Sequence, residues 1–131
     1  MSKSILYAAN TSDQAFVAGG SIVNFGSLVR RYGCNLGMSG GNVTINGQGY
    51  YNVDVNLTFT AAAGTVSVQL FKDGVAVPGA TASRSTAADI VYSLTIPAIV
   101  RENCCCESAL TVAISGAAGN VSNAAIVVEK E

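Results

Sequence analysis

The chain has 131 residues, 50% of them apolar and only 11% charged, with seven Lys and Arg against eight Asp and Glu, no His and no Trp. That length predicts a single domain over residues 1–131. Near-neutral charge with no basic cluster excludes a nucleic-acid binder driven by phosphate contacts, and scarce charge with many Val, Ile and Leu excludes a disordered chain.

In the first third, residues 5–9, 15–17, 21–25 and 27–32 each read as extended. Residues 33–41 read as a glycine-rich loop, and Val43-Thr44-Ile45 as a short strand before the turn Asn46-Gly47-Gln48-Gly49. The alternation then becomes regular. Tyr51, Val53, Val55, Leu57 and Phe59 share one face of an extended segment, and Asn52, Asp54, Asn56 and Thr58 share the other. Val66, Val68 and Leu70 alternate with Ser67 and Gln69 up to Lys72-Asp73-Gly74, and Val75-Ala76-Val77 follows. Asp-Gly between alternating segments signals a hairpin, because a two-residue turn needs positive φ. Pro78-Gly79 is expected to end the returning strand, and Pro97 to close the set Ile90, Tyr92, Leu94 and Ile96. Leu110, Val112 and Ile114 make one more strand before the small residues 116–120, and Ala124, Ile126 and Val128 mark the last.

No stretch carries a capped 3.6-residue stripe of helical length. Roughly eight to ten short strands with turns every 8 to 12 residues predict an all-β, antiparallel two-sheet sandwich, with a jelly roll as the leading architecture. The longest apolar run, residues 124–128, is far too short to span a membrane as a helix, so no membrane insertion is expected. The N-terminal segment breaks at Asn10-Thr11-Ser12-Asp13 before a leader-type apolar core forms, which predicts no cleaved signal. The Asn-x-Ser/Thr triplets at Asn10, Asn42, Asn56 and Asn120 are read as turn and strand-edge residues.

A sandwich wets one face of each sheet, and here the outward positions are Ser, Thr, Asn and Ala with few charges. A mildly polar monomer surface would carry that pattern. The reading favoured is a homo-oligomer of cyclic symmetry in which part of one sheet of each subunit packs about an axis.

The run Gly49-Tyr50-Tyr51-Asn52-Val53-Asp54-Val55, and after a small-residue gap Val66-Ser67-Val68-Gln69-Leu70-Phe71-Lys72-Asp73-Gly74, resembles the central strands of the tumour-necrosis-factor and complement-globular-head superfamily. That pattern is Gly-x-Tyr-x-aromatic, then an alternating strand closed by Asn-Gly or Asp-Gly. Gly49 and Tyr51 match it, and Val53 replaces the usual Phe. Leu6 to Asn10 at the start and Cys104-Cys105-Cys106 late in the chain resemble the bacterial and phage branch, which includes the C-terminal heads of collagen-like spore-surface glycoproteins. The resemblance implies a ten-strand TNF-like jelly roll and a tight homotrimer. No collagen-like Gly-x-y stretch is present in the sequence.

Cys34 and the three-cysteine run leave three readings open: small buried hydrophobes, a disulfide from Cys34 to one member of the run, or a thiolate metal site using Cys34, Cys104 and Cys106 or one Cys repeated about a threefold axis. With no His and no CxxC pair, no metal or cofactor is assigned. A Ser or Cys nucleophile has no imidazole base, and Asp54, Asp89, Glu102 and Glu107 show no catalytic spacing, so no catalytic residue is assigned. Tyr51, Phe59 and Tyr92 are read as core or trimer-interface aromatics, as is Tyr7. Arg30-Arg31 and Arg101-Glu102 are either solvated surface or intersubunit ion pairs, with Arg101 and Glu102 on opposite sides of a strand.

The function expected is a non-enzymatic trimerisation or recognition head, made in the bacterial cytoplasm and displayed on a spore, cell or phage surface, its ligand unknown. The alternative is a monomeric or dimeric carbohydrate-binding sandwich, which the lack of Trp disfavours.

Overall fold

Alternation with a period of two places every second side chain of an extended chain in one layer, and two such layers bury each other. The computed structural model describes residues 4–102 and 107–130. Its strands are β1 (Ile5–Asn10), β2 (Gln14–Phe16), β3 (Ser21–Ile22), β4 (Ser27–Tyr32), β5 (Leu36–Ser39), β6 (Asn42–Asn46), β7 (Gly49–Ala61), β8 (Gly64–Lys72), β9 (Val75–Thr86), β10 (Val91–Glu102), β11 (Glu107–Ser115) and β12 (Gly119–Lys130). The first sheet runs β10-β7-β12-β1-β4, with β2 also on β12; the second runs β5-β6-β11-β8-β9, with β3 also on β11. Every pairing is antiparallel. The result is an all-β jelly-roll sandwich.

The core follows the sequence phase. β7 buries Tyr51, Val53, Val55, Leu57, Phe59 and Ala61, and from the opposite sheet β8 buries Val66, Val68 and Leu70 and β11 Leu110, Val112 and Ile114. Each such large aliphatic side chain taken out of water contributes about 2 kcal/mol. At one end Phe59 meets two rings of its own sheet: Phe16 on β2 lies edge-on at 6.3 Å and Tyr92 on β10 lies tilted at 6.0 Å. β12 keeps Val121 and Ala124 both inside although they are three apart, because its pairing with β7 slips between Val121 and Asn123. That extra residue is a bulge.

Several boundaries differ from the sequence expectation. Twelve strands are present among the described residues, because β2, β3 and β5 are two to four residues long and too short to show a period. Residues 33–41 are not all loop: β5 pairs with β6 and buries Leu36, turning back through Gly40 and Gly41 at φ 59° and 83°. Neither proline ends its strand. β9 continues through Pro78 and Gly79 as a wide bulge, held by the Gln69 side-chain amide, which donates to the carbonyls of Leu70 and Val77 at 2.8 Å each. β10 continues through Pro97, which an edge strand tolerates because its missing N–H costs no ladder bond on the free side. Ile90, by contrast, is exposed and precedes β10.

The hairpin at Asp73-Gly74 forms as predicted, with φ 52° and 81°. It is clamped to β11: the Asp73 N–H donates to the Ala109 carbonyl at 2.9 Å, and the Ala109 N–H donates to the Asp73 carboxylate at 3.0 Å. β1 and β12 are neighbours, Ile5 standing opposite Glu129, and the Lys130 N–H donates to the Ser4 carbonyl at 2.8 Å. Residues 4 and 130 therefore lie at one pole of the sandwich.

Candidate functional site

The two outward faces differ in chemistry, and the difference follows from which residues occupy the out-of-phase positions. On the second sheet they are mainly Thr44, Thr65, Ser67, Gln69, Thr81, Ser83, Thr111 and Ala113, with the half-buried Phe71 and the exposed Ile22 among them and Glu107 the charge at one end. On the first sheet, residues in register share a side. One cross-strand row reads Arg30, Tyr7, Val127, Asp54 and Pro97; the next reads Tyr32, Ile5, Glu129, Asn52 and Ile99; beyond them Tyr50 stands opposite Arg101. Tyr32, Tyr50 and Ile99 are 69%, 54% and 64% exposed. A sheet face offering several tyrosines and branched aliphatics to water, across from one in which hydroxyls dominate, is the candidate interaction surface.

This surface runs onto an open edge. β9 and β10 border different sheets, and between them lies a groove of about 400 Å³ lined by Val75, Val77, Pro78 and Ile99, with Lys72, Asp73 and Arg101 at its rim. Arg101 leans over the Tyr50 ring, its guanidinium carbon 5.9 Å from the ring centre, and Arg84 stands 4.7 Å over the Tyr92 ring at the same edge. The hydroxyl of Tyr92 accepts the Ala87 N–H at 2.9 Å.

Arg101 and Glu102 do lie on opposite sides of β10, but Glu102 is no solvated surface carboxylate. It is 1% exposed, and Lys72 Nζ stands 3.5 Å from it. Tyr51 is fully buried nearby, donating to the carbonyls of Asn46 and Gly47 at 3.1 and 2.7 Å. Burial, and after it the Glu102 carboxylate, pushes the Tyr51 phenol above its ordinary value of 10.0. Asp73 moves the other way: hydrogen bonds from the Ser108 side chain and then the Ala109 backbone hold its carboxyl below 3.8.

Of the aromatics singled out from sequence, Tyr51 and Phe59 lie in the core, Tyr92 is half-buried against it, and Tyr7 is on the exposed face. The exposed Tyr50 and Ile99 drew no attention as surface residues, although the phase of β7 and β10 already placed them outward. Cys34 is exposed in the turn between β4 and β5, so for this residue the buried-hydrophobe reading fails. It borders a cavity of about 200 Å³ with Arg31, Asn35, Thr44 and Glu107. Cys104 and Cys106 lie outside the described residues. Among the described residues no three His, Cys, Asp or Glu side chains gather to hold a metal ion, and no helix is long and apolar enough to cross a membrane.

No family model and no curated protein matches the sequence. Solved structures do match the fold over nearly its whole length. Murine APRIL at pH 5.0 superposes with a TM-score of 0.81 at 17% identity, covering 99% of this chain and 100% of that one. An Eiger TNF from S. frugiperda reaches 0.69 at 12% identity, covering 98% and 91%, and the PRD1 vertex protein P5 reaches 0.69 at 10%, covering 98% and 96%. At such identities the similarity establishes architecture: the sandwich is a TNF-like jelly roll.

Proposed function

We propose that the protein is a non-enzymatic homotrimeric head, a structural or recognition module displayed on a bacterial spore, cell or phage surface. The observation that carries this reading is the one-sided exposure of Tyr7, Tyr32, Tyr50 and Ile99 on the first sheet, continuous with the groove beside β10. A surface of that kind is stable in water when another protein surface covers it. The hydroxyl-rich second sheet would then be the outer, wetted wall. The resemblance of Gly49-Tyr50-Tyr51 and of the late cysteine run to the bacterial and phage branch supports the place of display. Light scattering on the purified chain should give about three times 13.3 kDa. A mass of one subunit at high concentration would reject the trimer.

A carbohydrate-binding sandwich is the second reading, favoured by three exposed tyrosines on one flat face. It predicts a lone subunit whose tyrosine fluorescence responds to added polysaccharide.

A further inference from the structure

Among the described residues, four charges stand on the exposed face of the first sheet, and they are laid out by strand. The carboxylates stand in the middle, Asp54 on β7 and Glu129 on β12, and the arginines stand at the margins, Arg30 on β4 and Arg101 on β10. Asp54 and Arg101 are both exposed, and no ion pair joins Asp54 to any described residue. Neither arginine reaches it within the chain. Arg30 is three strands away, about 14 Å, and Arg101 is four residues farther along the ladder, also about 14 Å.

An acidic centre with basic margins selects how a second copy can dock. Two such faces meeting centre to centre would oppose carboxylate to carboxylate, and like charges brought together disfavour a contact strongly. A margin of one copy laid on the centre of the next brings arginine to carboxylate, and repetition of that unlike contact closes a ring. Of the two margins, β10 is the better suited. With β9 it borders the apolar groove lined by Val75, Pro78 and Ile99, and Pro97 on β10 and Pro78 on β9 oppose simple strand addition at this edge, so contact must be made by side chains. Arg101 already has its guanidinium spread over Tyr50, which leaves its planar fork free to take a carboxylate.

We propose that Asp54 on β7 is paired by Arg101 of a neighbouring copy. The proposal rests on the homotrimer reading and supplies the contact that orients it.

The test is charge reversal on the full chain, read by light scattering across a dilution series, with circular dichroism to verify folding. Both side chains are exposed, so each single variant should fold. Asp54→Arg and Arg101→Glu should each raise the concentration at which the assembly half-dissociates by at least about tenfold. The double variant Asp54→Arg/Arg101→Glu should recover wild-type assembly, because every contact again joins opposite charges. Singles that assemble like wild type, or a double no better than the worse single, would overturn the pair while leaving the trimer standing. So would rescue of Asp54→Arg by Arg30→Glu, which would place the contact at β4. A wild-type chain that is a lone subunit at every concentration removes both the pair and the trimer reading before any variant is made.

Discussion

Single residues at the polar end of the core set the chain's response to pH. Asp73 has a folded-state pKa below its unfolded value of 3.8, so its stabilisation is present above that value and is lost as the pH falls through the folded one. Asp73→Asn should therefore be less stable than wild type at neutral pH, and the difference should shrink on acidification; urea unfolding at pH 7 and pH 3 measures it. Tyr51 has the opposite sign. Its phenol is held neutral in the fold above 10.0, so its contribution is full below that value and fades as alkali ionises it. One of the five tyrosines should thus titrate late in ultraviolet absorbance. Tyr51→Phe should remove that late step and cost about 1 kcal/mol, through the lost bonds to the Asn46 and Gly47 carbonyls. Glycine is obligatory at Gly116 for a steric reason: φ is +115° and an added Cβ would run into the Thr65 carbonyl.

At the scale of strands, legibility depended on length. β7, β8, β11 and β12 run nine residues or more, and their alternation stood out in the sequence. β2, β3 and β5 give two to four residues each and can only be recognised through their partners. Prolines misled for a related reason: whether Pro78 or Pro97 ends a strand depends on whether that strand lies at an edge, which is a property of the sheet and not of the segment. The bulge around Pro78 has its own support in Gln69. Gln69→Ala should strip the amide bonds to Leu70 and Val77, lower stability by about 1 to 2 kcal/mol in urea unfolding and speed amide exchange over residues 75–80. β4 is thinly held by the same logic, since it pairs only with β1 and all six of its residues are exposed.

For the whole molecule, the sandwich and the Asp73-Gly74 hairpin were legible, while the contrast between its two faces was only half so. Counting outward residues without assigning them to sheets mixed the hydroxyls of one face with the tyrosines of the other. Sheet membership comes from pairings such as β12 with β7 and β1, between segments tens of residues apart. Glu102 was misjudged for the same reason, because its burial depends on Lys72 arriving from the other sheet. If the first-sheet face is the subunit contact, Tyr50→Ser combined with Ile99→Ser should leave a folded chain whose thermal midpoint no longer rises with protein concentration, as that of the wild type should.

The adjacency of β1 and β12 has a practical corollary. A short linker could join residue 130 back to residue 4, and the chain could be reopened at the exposed Ala62-Ala63 connection without cutting either long strand beside it. Such a circular permutant would keep every ladder while moving its attachment point to the opposite pole, so a fused cargo could be hung from either end of the sandwich at will.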